Sequence, residues 1–206
     1  RRTDRLQKLA NGGIHALAMD VTDDKSMTSG IDSIIAETGR IDVLVNNAGY
    51  GSYGAIEDVP LDEARRQFEV NLFGLGRLTQ LVLPHMRAQK FGTIINISSM
   101  GGRLTTPLGG WYHATKYAVE ALSDALRMET APFGINVVVI EPGGIRTEWS
   151  GIAADHLEET AEGSAYASQI KAVANSMRSE STNNRQSPPS VIADTVEKIV
   201  TARKPR

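Results

Sequence analysis

Short runs of β-branched and aliphatic residues alternate along this chain with longer segments of helical period, and that rhythm limits its fold more than any other feature. Ile14–Met19 reads as a strand, Asp23–Thr38 as a helix and Ile41–Asn46 as a second strand. A long helix is expected from Leu61 to Gln89, with Pro60 suited to its first turn and Pro84 placed to kink its far end. Thr93–Ser98 is the next strand, Tyr112–Thr130 the next helix and Asn136–Glu141 a further strand. Strands that are apolar on both faces need cover on both faces, and the intervening helices supply it. The expected class is therefore α/β, a doubly wound parallel sheet in a single domain.

After Gly143 the character changes. The stretch Asp155–Arg185 is rich in Ala, Ser, Glu and Asn and thin in large apolar residues. It is expected to be helical and loosely packed, an insertion over residues 150–188 that lies at the open edge of the sheet and covers a substrate. A polar stretch from Ser179 to Pro189 and a last helix from Pro189 to Arg203 follow.

Composition removes several classes of function. The chain has 206 residues and no cysteine, so it has neither a disulfide framework nor a thiolate nucleophile or metal ligand, and a cytoplasmic location is the default. Its 22 basic and 24 acidic side chains leave a net charge of -2, with no global footprint for nucleic acid or an anionic membrane. Apolar runs such as Val137–Ile140 fall far short of the roughly 20 residues of a membrane span. His15, His85, His113 and His156 are scattered without metal-ligand spacing, so no metal site is expected.

Gly49–Gly54 matches G-x-G-x-x-G but does not behave as a dinucleotide fingerprint. That motif works because a helix starts inside the glycine loop and aims free N–H groups at a pyrophosphate. Here no helix can begin before Pro60, and the acidic residue expected about 20 positions on is missing. Asn46-Asn47-Ala48-Gly49 is more informative: at the carboxyl end of a strand it sets amides and small residues where ligands of such sheets bind, although alone it could be a turn.

Tyr112 and Lys116 stand four apart at the start of a helix, so both side chains lie on one face. A nearby ammonium favours a phenolate, and lowering a phenol from its usual pKa of about 10 by about three units needs roughly 4 kcal/mol. Tyr112 so placed is a candidate general acid/base. Ser98-Ser99 ends a strand facing the same crevice, and a hydroxyl there could orient a carbonyl oxygen. No nucleophile elbow surrounds either serine. Taken singly, each of these has an ordinary structural explanation.

Taken together, the ordered set resembles the short-chain dehydrogenase/reductase family: Asp20-Val21 after a strand, Asn46–Gly49, Asn71 in the long helix, Asn96–Ser99, Tyr112-x-x-x-Lys116 and Glu141–Thr147. The resemblance implies a Rossmann-like fold and a nicotinamide-dependent interconversion of carbonyl and alcohol. It implies that Tyr112 passes the proton, Lys116 lowers its pKa and holds the nicotinamide ribose, and Ser99 orients the substrate oxygen. Asn71 would hold a water that extends a proton relay from Lys116. Pro142, Gly143, Ile145 and Thr147 would approach the nicotinamide and phosphates. Asp20 and Val21 would flank the adenine, with Asn47, Ala48 and Gly49 on the adenosine ribose side.

Cofactor choice rests on Arg1 and Arg2, which fall where an arginine fork would suit a 2′-phosphate, so NADP is expected over NAD. The small-molecule substrate is expected to be steroid-like or retinoid-like, and the assembly a homodimer or homotetramer through Leu61–Gln89 and Tyr112–Thr130. The alternative is a catalytically silent nucleotide-binding module. The chain opens at Arg1 with helical spacing and no glycine-rich loop, so the family's first βαβ unit is expected to lie outside it. On that expectation residues 1–206 alone bind cofactor poorly and fold marginally, and Lys204–Arg206 is either an end or a second cut before a final strand.

Overall fold

The computed structural model describes residues 13–179, 184–203 and 205. Three parallel strands form the sheet in the order β1 (Val43–Asn46), β2 (Gly92–Ile97), β3 (Ile135–Ile140). Val43 pairs with Thr93 and Asn46 with Asn96, while Gly92 pairs with Ile135 and Ile97 with Ile140. All three strands therefore end at one level, and the segments that follow them open onto a common crevice.

Successive residues of a strand point to opposite faces, and both faces here are covered. Ile94 and Val137 pack with Ile31 of α1 (Asp24–Thr38), with Val82 and Met86 of α3 (Gly74–Gln89) and with Leu126 of α4 (Gly110–Thr130). Ile95 and Val138 pack on the other face against Ile199 of α7 (Ser190–Thr201). This is the doubly wound parallel arrangement that runs apolar on both sides require. Helix α1 starts where the Asp23 carboxylate accepts the Lys25 and Ser26 amides, and it stops at Gly39, whose φ of 72° closes the last turn.

The expected long helix is two helices in tandem. Helix α2 (Leu61–Phe68) runs into a π-helical turn, Glu69–Phe73, before α3 continues. The wide turn contains the buried Asn71. Helix α3 runs through Pro84, which forfeits one backbone hydrogen bond without ending it.

Ile14–Met19 is not a strand. A ladder needs a neighbour, and none of the described strands pairs with this segment, whose Ile14 and Leu17 are exposed. The segment after Gly143 also departs from expectation. It forms two helices, α5 (Trp149–Glu159) and α6 (Ala167–Arg178), joined through Gly163 at a φ of 74°. They are tightly packed: Ala153, Ala154, Leu157, Ile170 and Ala174 are buried with Tyr53, Leu108 and Tyr112. Small alanines let helices approach closely, which a count of large apolar residues overlooks. The pair covers the carboxyl-end side of the sheet, over Tyr53 and Tyr112. The stretch after α6 is anchored at its far end, where Ser187 forms a bridge with Ile145 and exchanges backbone bonds with Gly144 and Arg146.

Leu157 is fully buried in this cluster, so Leu157→Ala is expected to cost about 2–4 kcal/mol, read as a lower midpoint in urea with an unchanged slope. A loss below about 0.5 kcal/mol, the level of a surface substitution, would show that α5 is not part of the cooperative core.

Candidate active site

The site is assembled from the ends of β1, β2 and β3 and the first turns of α4. Lys116 extends from α4 to the end of β2, where Nζ donates to the Ile97 carbonyl at 2.9 Å. The residue is only 7% exposed, and burial brings its ammonium down from the usual lysine range to about 8, with the Glu120 carboxylate opposing that fall. Tyr112, one turn earlier, is also buried, and the Lys116 ammonium lies 6.0 Å from its ring centroid.

Ser99 follows β2 directly. Its Oγ accepts the Gly101 amide at 3.0 Å, which leaves its hydroxyl hydrogen available in the crevice that Tyr112 also lines. The balance at Tyr112 differs from the one expected from Tyr-x-x-x-Lys alone. Burial is the larger influence and pushes the phenol above its ordinary value, while the Ser99 bond pulls in the other direction. Without a further positive charge, the hydroxyl is therefore a protonated donor at neutral pH.

His113 lies beside these residues without joining them. The Thr106 amide donates to Nε2 at 3.1 Å, so that nitrogen carries the lone pair and Nδ1 donates to the Gly101 carbonyl at 3.0 Å. A neutral imidazole thus ties the Ser99 turn to the loop at Thr106.

Asn71 is fixed from several directions. Its Oδ1 accepts the Tyr50 amide at 3.0 Å, and its Nδ2 donates to the Tyr50 carbonyl at 2.9 Å and to Thr115 Oγ1 at 3.1 Å. These bonds hold the loop after β1 against α4. Gly49 sits in the gap, where a Cβ would stand 3.1 Å from Asn71 Oδ1 and 3.9 Å from Lys116 Nζ. A side chain at this position would crowd Asn71, which glycine avoids.

The crevice enclosed by these groups has a volume of about 570 Å³. Asn47, Gly49, Ser99, Tyr112 and Lys116 line one part of it, and Pro142, Gly143, Ile145 and Thr147 another. Asp20, Val21 and Ala48 border an adjoining hollow, and Tyr50 borders both. Asn71 supports the wall from behind Gly49. Arg1 and Arg2 lie outside the described residues. Among those residues, no cluster of His, Asp and Glu could hold a metal ion and no helix is long and apolar enough to cross a membrane.

Two aromatic residues were missed from the sequence. Tyr53 packs 5.5 Å from Tyr112 and 5.9 Å, edge-on, from Trp149, whose own ring is 5.5 Å from Tyr112. Tyr53 lies in the loop after β1 and Trp149 opens α5, so no periodic signal links them. The only hint was the small residue at Gly51, where a Cβ would stand 2.5 Å from the Trp149 ring.

A parallel doubly wound sheet with hydroxyl, phenol and ammonium groups gathered at its carboxyl edge defines a nucleotide-dependent α/β enzyme class. Comparison with known proteins agrees. The short chain dehydrogenase family profile matches residues 2–157, and the chain belongs to the short-chain dehydrogenase/reductase family, whose members are hydride-transfer oxidoreductases. It is 37% identical over 203 residues to the oxidoreductase BOA17 of Botryotinia fuckeliana, covering 98% of this chain and 73% of that one. A short-chain dehydrogenase structure from Streptomyces avermitilis superimposes with a TM-score of 0.83 at 33% identity, over 100% of this chain and 74% of that one. NAD+-bound xylitol dehydrogenase superimposes with a TM-score of 0.79 at 27% identity, over 98% and 80%. Across the curated relatives the match takes up 51–73% of their length.

Asn71→Ala removes three hydrogen bonds, two of them to the Tyr50 backbone. It is expected to lower stability by about 1–3 kcal/mol and to speed hydrogen exchange at Tyr50. Exchange at the wild-type rate would show that another group holds this loop.

Proposed function

We propose that the protein transfers hydride between NADP(H) and a ketone, aldehyde or secondary alcohol with an apolar body. The observation that carries this reading is the convergence of the Ser99 hydroxyl, the Tyr112 hydroxyl and the Lys116 ammonium on one crevice. A nicotinamide, when bound, supplies the hydride acceptor or donor that no side chain can provide.

The residues present fit such a group. Lys116 spends one of its three donors on Ile97 and lines the crevice beside Gly49, which suits a ribose diol. Pro142, Gly143, Ile145 and Thr147 offer a strip that we assign to the nicotinamide and phosphate side, and Asn47, Ala48 and Gly49 to the adenosine ribose. Asp20 and Val21 border the hollow that we assign to adenine. Arg1 and Arg2 support NADP over NAD on their sequence position, because a guanidinium fork suits a 2′-phosphate.

In the proposed reduction, Ser99 donates a hydrogen bond that orients the substrate oxygen, and Tyr112 gives it a proton. The raised phenol makes Tyr112 an acid that keeps its proton until the oxyanion forms. Lys116 supplies the positive charge that stabilises the phenolate left behind. Both amide hydrogens of Asn71 are already committed. Asn71 therefore joins a proton path only as an acceptor, through Oδ1 or through its carbonyl in the π turn. Exposed Phe73, Tyr117 and Met128 on the long helices support a homodimer or homotetramer through those faces.

Tyr112→Phe is expected to reduce turnover by about 10³-fold, within the 10²–10⁴ range of general acid–base steps, while NADPH fluorescence titration gives an affinity near that of the wild type. Turnover within tenfold of wild type would exclude Tyr112 as the proton donor. Binding without turnover across a broad carbonyl panel would favour the silent module.

The Lys116 value fixes a second expectation. With a positive charge required and lost as pH rises through about 8, reduction should be level below pH 7 and fall above pH 8 with a slope of one proton. The stability contribution has the opposite sense. The folded protein binds less proton than the unfolded chain between about 8 and the ordinary lysine value, so stability relative to Lys116→Met rises with pH across that window. Urea midpoints of the two proteins that stay parallel from pH 7 to 10 would show that Lys116 is not desolvated.

A further inference from the structure

Among the described residues, Lys116 and Glu120 are the only Lys, Arg, Asp or Glu side chains in the buried set. They stand one helical turn apart on the same face of α4, next to the end of β2. Burying a charge costs several kcal/mol unless another group answers it, and a second buried charge so close to the first calls for a reason beyond packing. Glu120 is 5% exposed, and neither of its oxygens accepts a hydrogen bond. Arg103 Nη2 lies 3.0 Å from Oε2, but the Nε and Nη2 donors of that guanidinium are aimed at Glu141 Oε1, at 3.1 and 2.9 Å. The other oxygen faces Gly102, where a Cβ would be 3.1 Å from Oε1 and 2.8 Å from the unpartnered Ser98 Oγ.

These contacts place Glu120 between two parts of the site. Toward the start of the helix it stands one turn from Lys116, whose ammonium its charge favours. Toward the strand end it faces Ser98, Gly102 and Arg103, the residues that enclose Ser99. The other charged groups nearby are Glu141 beyond β3 and Asp124 on α4, both of which act on Arg103. We propose that Glu120 is a positioning residue, whose buried carboxylate acts on Lys116 one turn away on the same helix face and, through Arg103, holds the Ser99 segment against the helix that carries Tyr112. Glu120 touches neither substrate nor cofactor in this arrangement. It acts through Lys116 and Arg103, and its use in turnover rests on the reaction proposed above.

The sign follows from the charges. Burial favours the neutral amine of Lys116, and Glu120 favours the ammonium. Removing the carboxylate charge therefore lowers the pH at which Lys116 loses its proton. The test is the titration of Lys116 by NMR in full-length protein labelled at lysine Cε, with the resonance assigned by its absence in Lys116→Arg. In Glu120→Gln, nearly the same size but uncharged, the midpoint is expected to fall from about 8 by up to about one pH unit, the direction that loss of an opposing carboxylate charge dictates. The alkaline limb of reduction should move down with it. Glu120→Asp keeps the charge but withdraws it by one methylene, so a smaller fall is expected, and it serves where Glu120→Gln does not fold. A midpoint unchanged in a folded Glu120→Gln, or in Glu120→Asp where only that variant folds, overturns the proposal. The NMR midpoint is read without turnover, whereas failure of the oxidoreductase reading shows in Tyr112→Phe, so the two outcomes stay separate.

Discussion

The hydrogen bond from Lys116 Nζ to the Ile97 carbonyl joins the two elements on which the site depends. Ile97 is the last residue of the central strand, and its carbonyl lies where the sheet ladder gives way to the crevice. By filling that acceptor, Lys116 brings the first turns of α4 to the end of β2. Tyr112 then meets Ser99, although the two arrive from different elements. An apolar residue at position 116 could pack there but would leave the Ile97 carbonyl buried without this donor. The network continues below the site. Asn46 Nδ2 donates to Asn96 Oδ1 at 2.9 Å, and Asn96 Nδ2 donates to Ser123 Oγ at 2.9 Å, so strands β1 and β2 and helix α4 are held by buried amides as well as by apolar contact.

Much of this was legible from residue order because it follows from local pattern. Ile94 and Ile95 are adjacent and both apolar, and only a strand covered on both sides buries both. Ser99, Tyr112 and Lys116 were legible because strand ends and helix periodicity already set them on one edge. The Ile14–Met19 strand was misjudged for a related reason. Its composition suits a strand, but strand structure belongs to a pair, and composition does not show whether a partner is adjacent. The tight packing of α5 and α6 was concealed because Ala153, Ala154 and Ala174 add little hydrophobicity to a window while allowing close contact.

The π turn at Glu69–Phe73 was also illegible, and here the cause is tertiary. Nothing in Glu-Val-Asn-Leu-Phe demands a widened turn. Asn71 lies within it and is bonded to both backbone groups of Tyr50 and to Thr115. Those partners come from a loop and a helix far away in the chain. A local window reads the apolar period as continuous and cannot see that one buried amide has three distant partners. Glu120 escaped notice for a similar reason, since a glutamate in mid-helix ordinarily faces water, and only the neighbouring strand end buries it.

Burial acts on the two ionisable groups of the candidate site in a consistent chemical sense. It pushes the Tyr112 phenol up and the Lys116 ammonium down, so each is driven toward its neutral form. A site that obeyed burial alone would hold a phenol and an amine, with no charge to stabilise an oxyanion. Ser99 and Glu120 oppose that drift from different directions, one favouring the Tyr112 phenolate and the other the Lys116 ammonium. The desolvated environment strengthens both corrections, because a charge is felt more strongly where water is scarce. Proton transfer in the proposed reaction then depends on a modest residual difference between large opposing effects. A single uncharged substitution at position 120 should therefore be read in the titration of Lys116 well before it is read in the fold.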